Sequence, residues 1–394
     1  MEINPAQRIS HIKPYFFSIL DQKITKLMER GVDVIRLDMG SPDLAPASFI
    51  VDALIESVRR PDKHRYTPSG GSPSFLKSIA EYYQNRFNTE LNPKSEILAL
   101  IGSKEGIFNI HHTLLNPGDL VLLPDPCYAV YRSGIEISNC RFFTMPLLKE
   151  NKFLPDLEKI PDDIAHSAKM MWLNYPNNPT GAVADLEFFE RCVKFAKKHN
   201  VIIAHDAPYV DVTFDGYVAP SILQVEGAKD CVVEFNSLSK TYNMAGWRIG
   251  MVVGNSEVIR LLKTYKSQID SSLFAPIMDA GEAALTGDQG WIKERNLIYQ
   301  ERRDIVVETL SLAGFDLEQP KAGLYVWAKL PPGCGDTWDF CAKLLEETGV
   351  SITPGGFFGH SCEDYVRISN VIPTGRIKEA TDRMLEWITA NFRK

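Results

Sequence analysis

The sequence predicts an α/β fold: a large domain on a mostly parallel sheet flanked by helices, with a smaller α+β domain. Three observations carry this. Through the middle of the chain, short continuous apolar runs alternate with segments of helical spacing. Strands buried on both faces of a helix-covered sheet read as such runs rather than as an in–out alternation. Beyond about residue 286 that alternation gives way to mixed strands and helices, the pattern of an α+β unit. The length, 394 residues, also exceeds what one hydrophobic core ordinarily holds.

Taken in order, residues 96–101 form a short apolar run that predicts a buried strand. Residues 104–115 have helical spacing and stop at Asn116-Pro-Gly-Asp119, a turn sequence. Residues 119–124, 141–145, 170–174, 201–205 and 231–235 predict further strands, and residues 186–199 a helix leading into the 201 strand. A long helical region is expected from about 256 to 312, with one break near Thr286-Gly287. Strands follow at 322–330, 350–353 and 365–369, with helices at 337–348 and after Pro373.

Composition narrows the function. Lys and Arg total 43 against 50 Asp and Glu, a net charge of -7, and no basic run stands out, so nucleic acid is not an expected partner. No apolar stretch reaches membrane-spanning length, so no membrane partner is expected. The start, Met1-Glu-Ile-Asn-Pro-Ala6, lacks the basic and apolar segments of a signal peptide. The seven cysteines form no Cys-x-x-Cys pair and no metal-ligand pattern with the eight histidines, which predicts reduced thiols in a cytoplasmic protein and no metal site.

The run Ser237-Leu-Ser-Lys-Thr-Tyr-Asn-Met-Ala-Gly-Trp-Arg248 carries the chemistry. A lysine at the end of a buried strand is costly unless paired or used. A desolvated amine, or one beside another cation, loses its proton readily and condenses with carbonyls. Ser237, Ser239 and Arg248 are the donors a phosphate monoester needs. Together they suggest that Lys240 holds pyridoxal phosphate; alone, it also reads as a surface lysine in a polar turn. Gly102-Ser-Lys-Glu-Gly106 follows a strand and opens a helix. Such a helix start favours phosphate through its N–H groups, Ser103 and Lys104 included. It also reads as an ordinary turn with Ser103 as N-cap. Asn178 and the pair Asp206 and Tyr209 stand just past two further strands. Ligands of open α/β sheets bind outside the strands' carboxyl ends, so these side chains should meet Lys240 in one crevice.

A strand ending in Asn-Pro-Thr-Gly, a strand ending in Asp-x-x-Tyr, and Ser-x-Ser-Lys with Arg eight residues on occur here in that order. The set resembles the class I/II aminotransferases of the aspartate aminotransferase superfamily, the fold type I pyridoxal-phosphate enzymes, over nearly the whole chain. The resemblance implies a residue-by-residue assignment. Lys240 would carry the cofactor and move the proton between substrate and cofactor. Ser103, Lys104, Ser237, Ser239 and Arg248 would hold the phosphate. Asp206 would pair with the ring nitrogen, and Asn178 and Tyr209 would donate to the ring's phenolic oxygen. Tyr128 would stack on the ring, with Tyr131 as a competitor. Arg367 would grip the substrate α-carboxylate, with Gly40 close to it. Tyr66 would reach the phosphate of a neighbouring subunit, which implies a homodimer with shared sites. The implied domains are 46–285 for the large one, and 1–45 with 286–394 for the small one.

Longer stretches, among them Ile101-Gly-Ser-Lys-Glu-Gly106, Thr213-Phe-Asp-Gly-Tyr217 and residues 173–189 and 237–250, resemble a narrower group. These are the bacterial LL-diaminopimelate aminotransferases and their alanine-forming relatives. That implies LL-diaminopimelate or glutamate as substrate with 2-oxoglutarate as acceptor. Alanine or aspartate transamination and C–S β-elimination are the alternatives on the same fold. Lys104 follows the phosphate-loop glycine and serine, where one branch places a lysine for a distal carboxylate. No arginine stands in residues 267–276, where another branch supplies one. Tyr15 is expected to fold over the substrate mouth.

Overall fold

The computed structural model describes residues 3–10, 12 and 16–392. Along the chain the strands are β1 (Ile35–Arg36), β2 (Ile97–Leu100), β3 (Leu120–Asp125), β4 (Arg141–Pro146), β5 (Ala168–Asn174), β6 (Ile202–Asp206) and β7 (Val232–Ser237). They continue as β8 (Gly250–Gly254), β9 (Asp316–Leu317), β10 (Tyr325–Lys329), β11 (Val350–Ser351), β12 (Thr353–Pro354) and β13 (Tyr365–Ser369).

Seven strands form the central sheet in the order β2-β8-β7-β6-β5-β3-β4. Pairings from β4 through β7 are parallel, and β8 runs antiparallel to both of its neighbours. Because side chains alternate across a strand, Met171 and Leu173 of β5 enter one core while Met170 and Trp172 enter another. Both faces are therefore dry, which is why these strands read as unbroken apolar runs. The covering helices are amphipathic. Leu186–His199 turns Phe188, Phe189, Cys192, Val193 and Ala196 inward. Its start is capped by the Asp185 carboxylate, which accepts from Phe188 N at 2.8 Å, and it ends at the left-handed Asn200.

A second, antiparallel sheet has the order β12-β13-β10-β9, and β1 pairs in parallel with β11. A separate core joins Ile35 and Leu37 to Val306, Leu310, Val326, Phe340, Ile368, Ile377 and Met384, so residues far apart in sequence share one interior. Among the described residues no helix is long and apolar enough to cross a membrane, and all seven cysteines are free.

Three expectations need correction. The region 256–312 is three helices, Ser256–Lys266, Ala275–Thr286 and Gly290–Leu312, so a second break falls at 267–274. There the Asp270 carboxylate takes the Lys266 ammonium at 2.7 Å and the Ser272 N–H at 2.8 Å, and Ser272 turns left-handed. Residues 350–354 serve two different sheets rather than one strand. β8 was not expected: it is five residues with a glycine at each end. A Cβ on Gly250 would lie 2.8 Å from Ser103 N, so close packing against the 102–103 turn demands glycine.

Candidate active site

The carboxyl ends of β5, β6 and β7 open into a cleft of about 420 Å³. Its walls carry Gly40, Ser103, Lys104, Tyr128, Asn178, Asp206, Tyr209, Ser237, Ser239, Lys240, Arg248 and Arg367, so twelve of the fourteen residues singled out from sequence converge. Tyr66 does not line it; that ring is 93% exposed. Tyr15 lies outside the described residues.

β7 delivers the lysine. Ser237, its last residue, caps the short helix Leu238–Thr241 by accepting from Ser239 N at 3.2 Å. That turn aims Lys240 back across the sheet edge, where its Nζ donates to the Gly40 carbonyl at 2.5 Å. Burial is the main force lowering the proton affinity of this amine, and the Arg367 and Arg248 cations add to it against Tyr325 and Asp206. The surface-turn reading of Lys240 is thereby excluded.

β6 ends in Asp206. Its Oδ2 accepts from the Tyr131 hydroxyl at 2.6 Å, while its buried Oδ1 has no hydrogen-bond partner among the described residues. Burial lifts this carboxyl to about 6, against the opposing pulls of Tyr131, His205 and Lys240. An unpaired carboxylate oxygen at the floor of a cleft is costly, and it fits a cationic N–H donor brought in by a ligand. Tyr131 is committed: its ring stacks on Trp172 at 4.3 Å and 8°, beneath the cleft. Tyr128 is half-buried in the cleft wall and meets Tyr131 edge-on at 5.7 Å.

Arg367 comes from β13 and is 4% exposed. Its Nη1 donates to Asn178 Oδ1 at 2.8 Å and its Nη2 to the Asp38 carbonyl at 2.7 Å; Nε has no partner among the described residues. The Asp38 carboxylate is taken by Arg36 instead. The guanidinium lies between the rings of Tyr325, at 4.2 Å, and Phe358, at 4.7 Å. No carboxylate of the described residues pairs with it, and a buried cation held by neutral groups suits an incoming carboxylate.

The glycine-rich turn supplies the rest. Gly102, at φ +70°, is itself the N-cap of Ser103–Leu114, so Ser103 is the first helical residue and not the cap. A Cβ on Gly102 would sit 2.3 Å from Arg248 Nη2, so only glycine admits that guanidinium. Glu105 braces the turn by accepting from Ile101 N at 3.0 Å, Asn109 at 2.6 Å and the buried Lys266 at 2.9 Å. Partial desolvation and the Arg248 charge lower the affinity of Lys104 for its proton.

Sequence reasoning missed Tyr325, Asn174 and the role of Tyr131. Asn174 Nδ2 clamps the Asp206 carbonyl at 2.6 Å, and its Oδ1 takes the Asn178 N–H at 2.8 Å. Tyr325 pairs with the Tyr209 hydroxyl at 3.1 Å. The available signal was a tyrosine within an apolar strand, since a buried hydroxyl requires a partner.

The fold and this donor set place a desolvated lysine amine and an unpaired carboxylate oxygen in one cleft at the carboxyl edge of an α/β sheet. The chain belongs to the aminotransferase class I and II family, whose pattern residues 32–384 match. It is 47% identical over 379 residues to an LL-diaminopimelate aminotransferase of Moorella thermoacetica, covering 96% of this chain and 97% of that one. A Dehalococcoides mccartyi protein of the same description is 44% identical over 388 residues, 98% of each chain. Among solved structures, substrate-bound BacF from Bacillus subtilis superposes with a TM-score of 0.95 at 37% identity, 98% of each chain being covered. A Thermus thermophilus aspartate aminotransferase gives 0.91 at 26% identity, covering 98% of this chain and all of that one. The protein is an aminotransferase, and the mostly parallel sheet with a smaller antiparallel one is the fold that the sequence predicts.

Proposed function

We propose that this aminotransferase uses pyridoxal phosphate held by Lys240 to move an amino group from LL-diaminopimelate to 2-oxoglutarate, with glutamate as the product and as the donor in reverse. One observation carries the cofactor reading: a desolvated lysine amine shares its cleft with a buried carboxylate oxygen that lacks a partner. The substrate reading rests on the relatives named above, which match this chain from end to end.

When bound, the cofactor supplies a reactive aldehyde and a ring that withdraws electrons from the substrate α-carbon. The chain's residues do the rest. The Asp206 carboxylate meets the protonated ring nitrogen and keeps it charged. The Tyr209 hydroxyl and the Asn178 amide nitrogen donate to the ring's phenolic oxygen, and Tyr128 covers a ring face. Backbone N–H groups at Ser103 and Lys104, with Ser237, Ser239 and Arg248, hold the phosphate. Arg367 fixes the substrate α-carboxylate beside the Gly40 backbone, which sets the α-hydrogen before Lys240. Burial lowers that amine's affinity for its proton, which suits it to take the α-proton and return it. Lys104, in the cleft wall, would face a distal carboxylate.

The active form would be a homodimer. The exposed Tyr66 stands beside the 267–274 segment, tied there by Thr67 Oγ1 donating to the Leu273 carbonyl at 2.8 Å, and Ile269 and Phe274 are exposed too. Residues 46–285 would form the larger domain, and 1–45 with 286–394 the smaller. Seven free cysteines, six of them buried, suit a reducing cytoplasm.

The test is a half-reaction screen on cofactor-loaded protein. LL-diaminopimelate and glutamate should each bleach the yellow band, 2-oxoglutarate should restore it, and Lys240→Ala should have neither band nor turnover. Release of pyruvate and ammonia without an acceptor would replace transamination by elimination. Bleaching by alanine or aspartate alone would overturn the substrate.

A further inference from the structure

We infer that Tyr325 is a positioning residue that links the carboxylate-binding Arg367 to the Tyr209–Lys240 end of the cleft. The proposal rests on the cofactor reading above and extends it to a residue outside that set.

Tyr325 opens β10 and is opposite Ser369 in the antiparallel pairing with β13, so it is diagonal to Arg367 on the same face. The guanidinium carbon sits 4.2 Å from the centre of its ring, within cation–π range. At the other end of the ring, the hydroxyl lies 3.1 Å from that of Tyr209. A third contact fixes the ring in place: a Cβ on Gly40 would stand 1.8 Å from the Tyr325 hydroxyl oxygen, and the Gly40 carbonyl is the acceptor for Lys240 Nζ. One side chain, 5% exposed, thus touches Arg367 and Tyr209 and lies against Gly40, whose carbonyl holds the Lys240 amine.

The charges facing it give the link a direction. Arg367 lies on its ring from β13, Lys240 approaches from the short helix after β7, and Tyr209 meets it from the loop after β6. Asp206 acts behind Tyr209, and Arg248 acts on Lys240. Burial pushes the Tyr325 hydroxyl up, but Arg367 and Lys240 outweigh it and hold it below the usual phenol range, whereas Tyr209 is raised. A carboxylate docking on Arg367 cancels the cation above the ring. Tyr325 then becomes a weaker acid than before, and its hydrogen bond with Tyr209 changes, so occupancy of the carboxylate site is felt at the ring oxygen. The Arg367–Asn178 bond is a parallel route, so Tyr325 carries part of the signal.

The experiment titrates the yellow band of holoenzyme against pH, with and without propionate, a carboxylate that cannot react. It compares wild type, Tyr325→Phe, which keeps the ring, and Tyr325→Leu, which removes it. For Tyr325→Phe the band's proton affinity should move at least about threefold, the scale of one lost hydrogen bond. Its propionate-induced shift should shrink, while KM for the amino acid stays near wild type. Tyr325→Leu should raise KM about tenfold or more by removing the face beneath Arg367. If both variants show the wild-type titration, propionate response and KM, with only a lower unfolding temperature, Tyr325 is structural and the proposal fails. If wild type forms no yellow band, the cofactor reading falls and this proposal with it.

Discussion

Asp206 ties one buried carboxyl to both stability and the proposed chemistry. Its carboxyl is raised to about 6 by burial, above the value of an unfolded chain near 4, so the folded chain holds more protons between those limits. The contribution of Asp206 to the stability of cofactor-free protein should therefore be complete below about pH 4 and be lost as pH rises through about 6. The total loss is on the order of 3 kcal/mol at most. Asp206→Asn cannot ionise, so its stability relative to wild type should climb across that window. Thermal unfolding at several pH values measures this, and a difference that does not vary with pH would refute it. The same variant should lose most of its turnover, because a neutral amide no longer holds the ring nitrogen charged. Arg367→Lys keeps the charge but loses the planar fork, so kcat/KM should drop about 100-fold, a charge-assisted bond of roughly 3 kcal/mol. Kinetics with the best amino donor test it; a loss under threefold would deny Arg367 the carboxylate.

At the scale of elements, helix termini set the site and the stability separately. Gly102 caps the helix that offers its N–H groups to the cleft, at φ +70° and against Arg248. Gly102→Ala adds strain at that φ and a clash at Arg248, so cofactor affinity should fall at least about tenfold with the fold retained. Dialysis against a free aldehyde trap, followed by the yellow band, measures it; unchanged retention would mean the turn does not touch the phosphate. Asp185, by contrast, caps a helix whose buried face packs in the core on the far side of its sheet strand. Asp185→Ala should cost about 1 kcal/mol of stability and leave turnover intact. Both helices were legible in the sequence because apolar spacing and a turn signal bracket each. The break at 267–274 was not, since it depends on Asp270 meeting Lys266, itself buried against Glu105 from another helix.

For the whole molecule, the exposed Tyr66 is the point to test. Sedimentation should give twice the chain mass, and Tyr66→Ala should loosen the cofactor without lowering the unfolding temperature; a monomer with full cofactor affinity would refute shared sites. Sequence by itself determined which strands are buried on both faces, because continuous apolar runs have no other soluble home than a covered sheet. It also determined which polar residues stand at the ends of those strands, and so brought Asn178, Asp206, Tyr209 and Lys240 into view as one group. Tertiary structure alone decided the rest. β8 enters the sheet against the direction of its neighbours, and no local pattern in five residues encodes that choice. Tyr325 reads as one more residue of an apolar strand until its partner, 116 positions away, is beside it. Tyr131 takes its place under Asp206 because Trp172 leaves a flat surface for its ring. Periodicity and end residues are properties of neighbours along the chain, whereas hydrogen bonds, ring contacts and unpaired oxygens depend on which distant segments the folded core forces together.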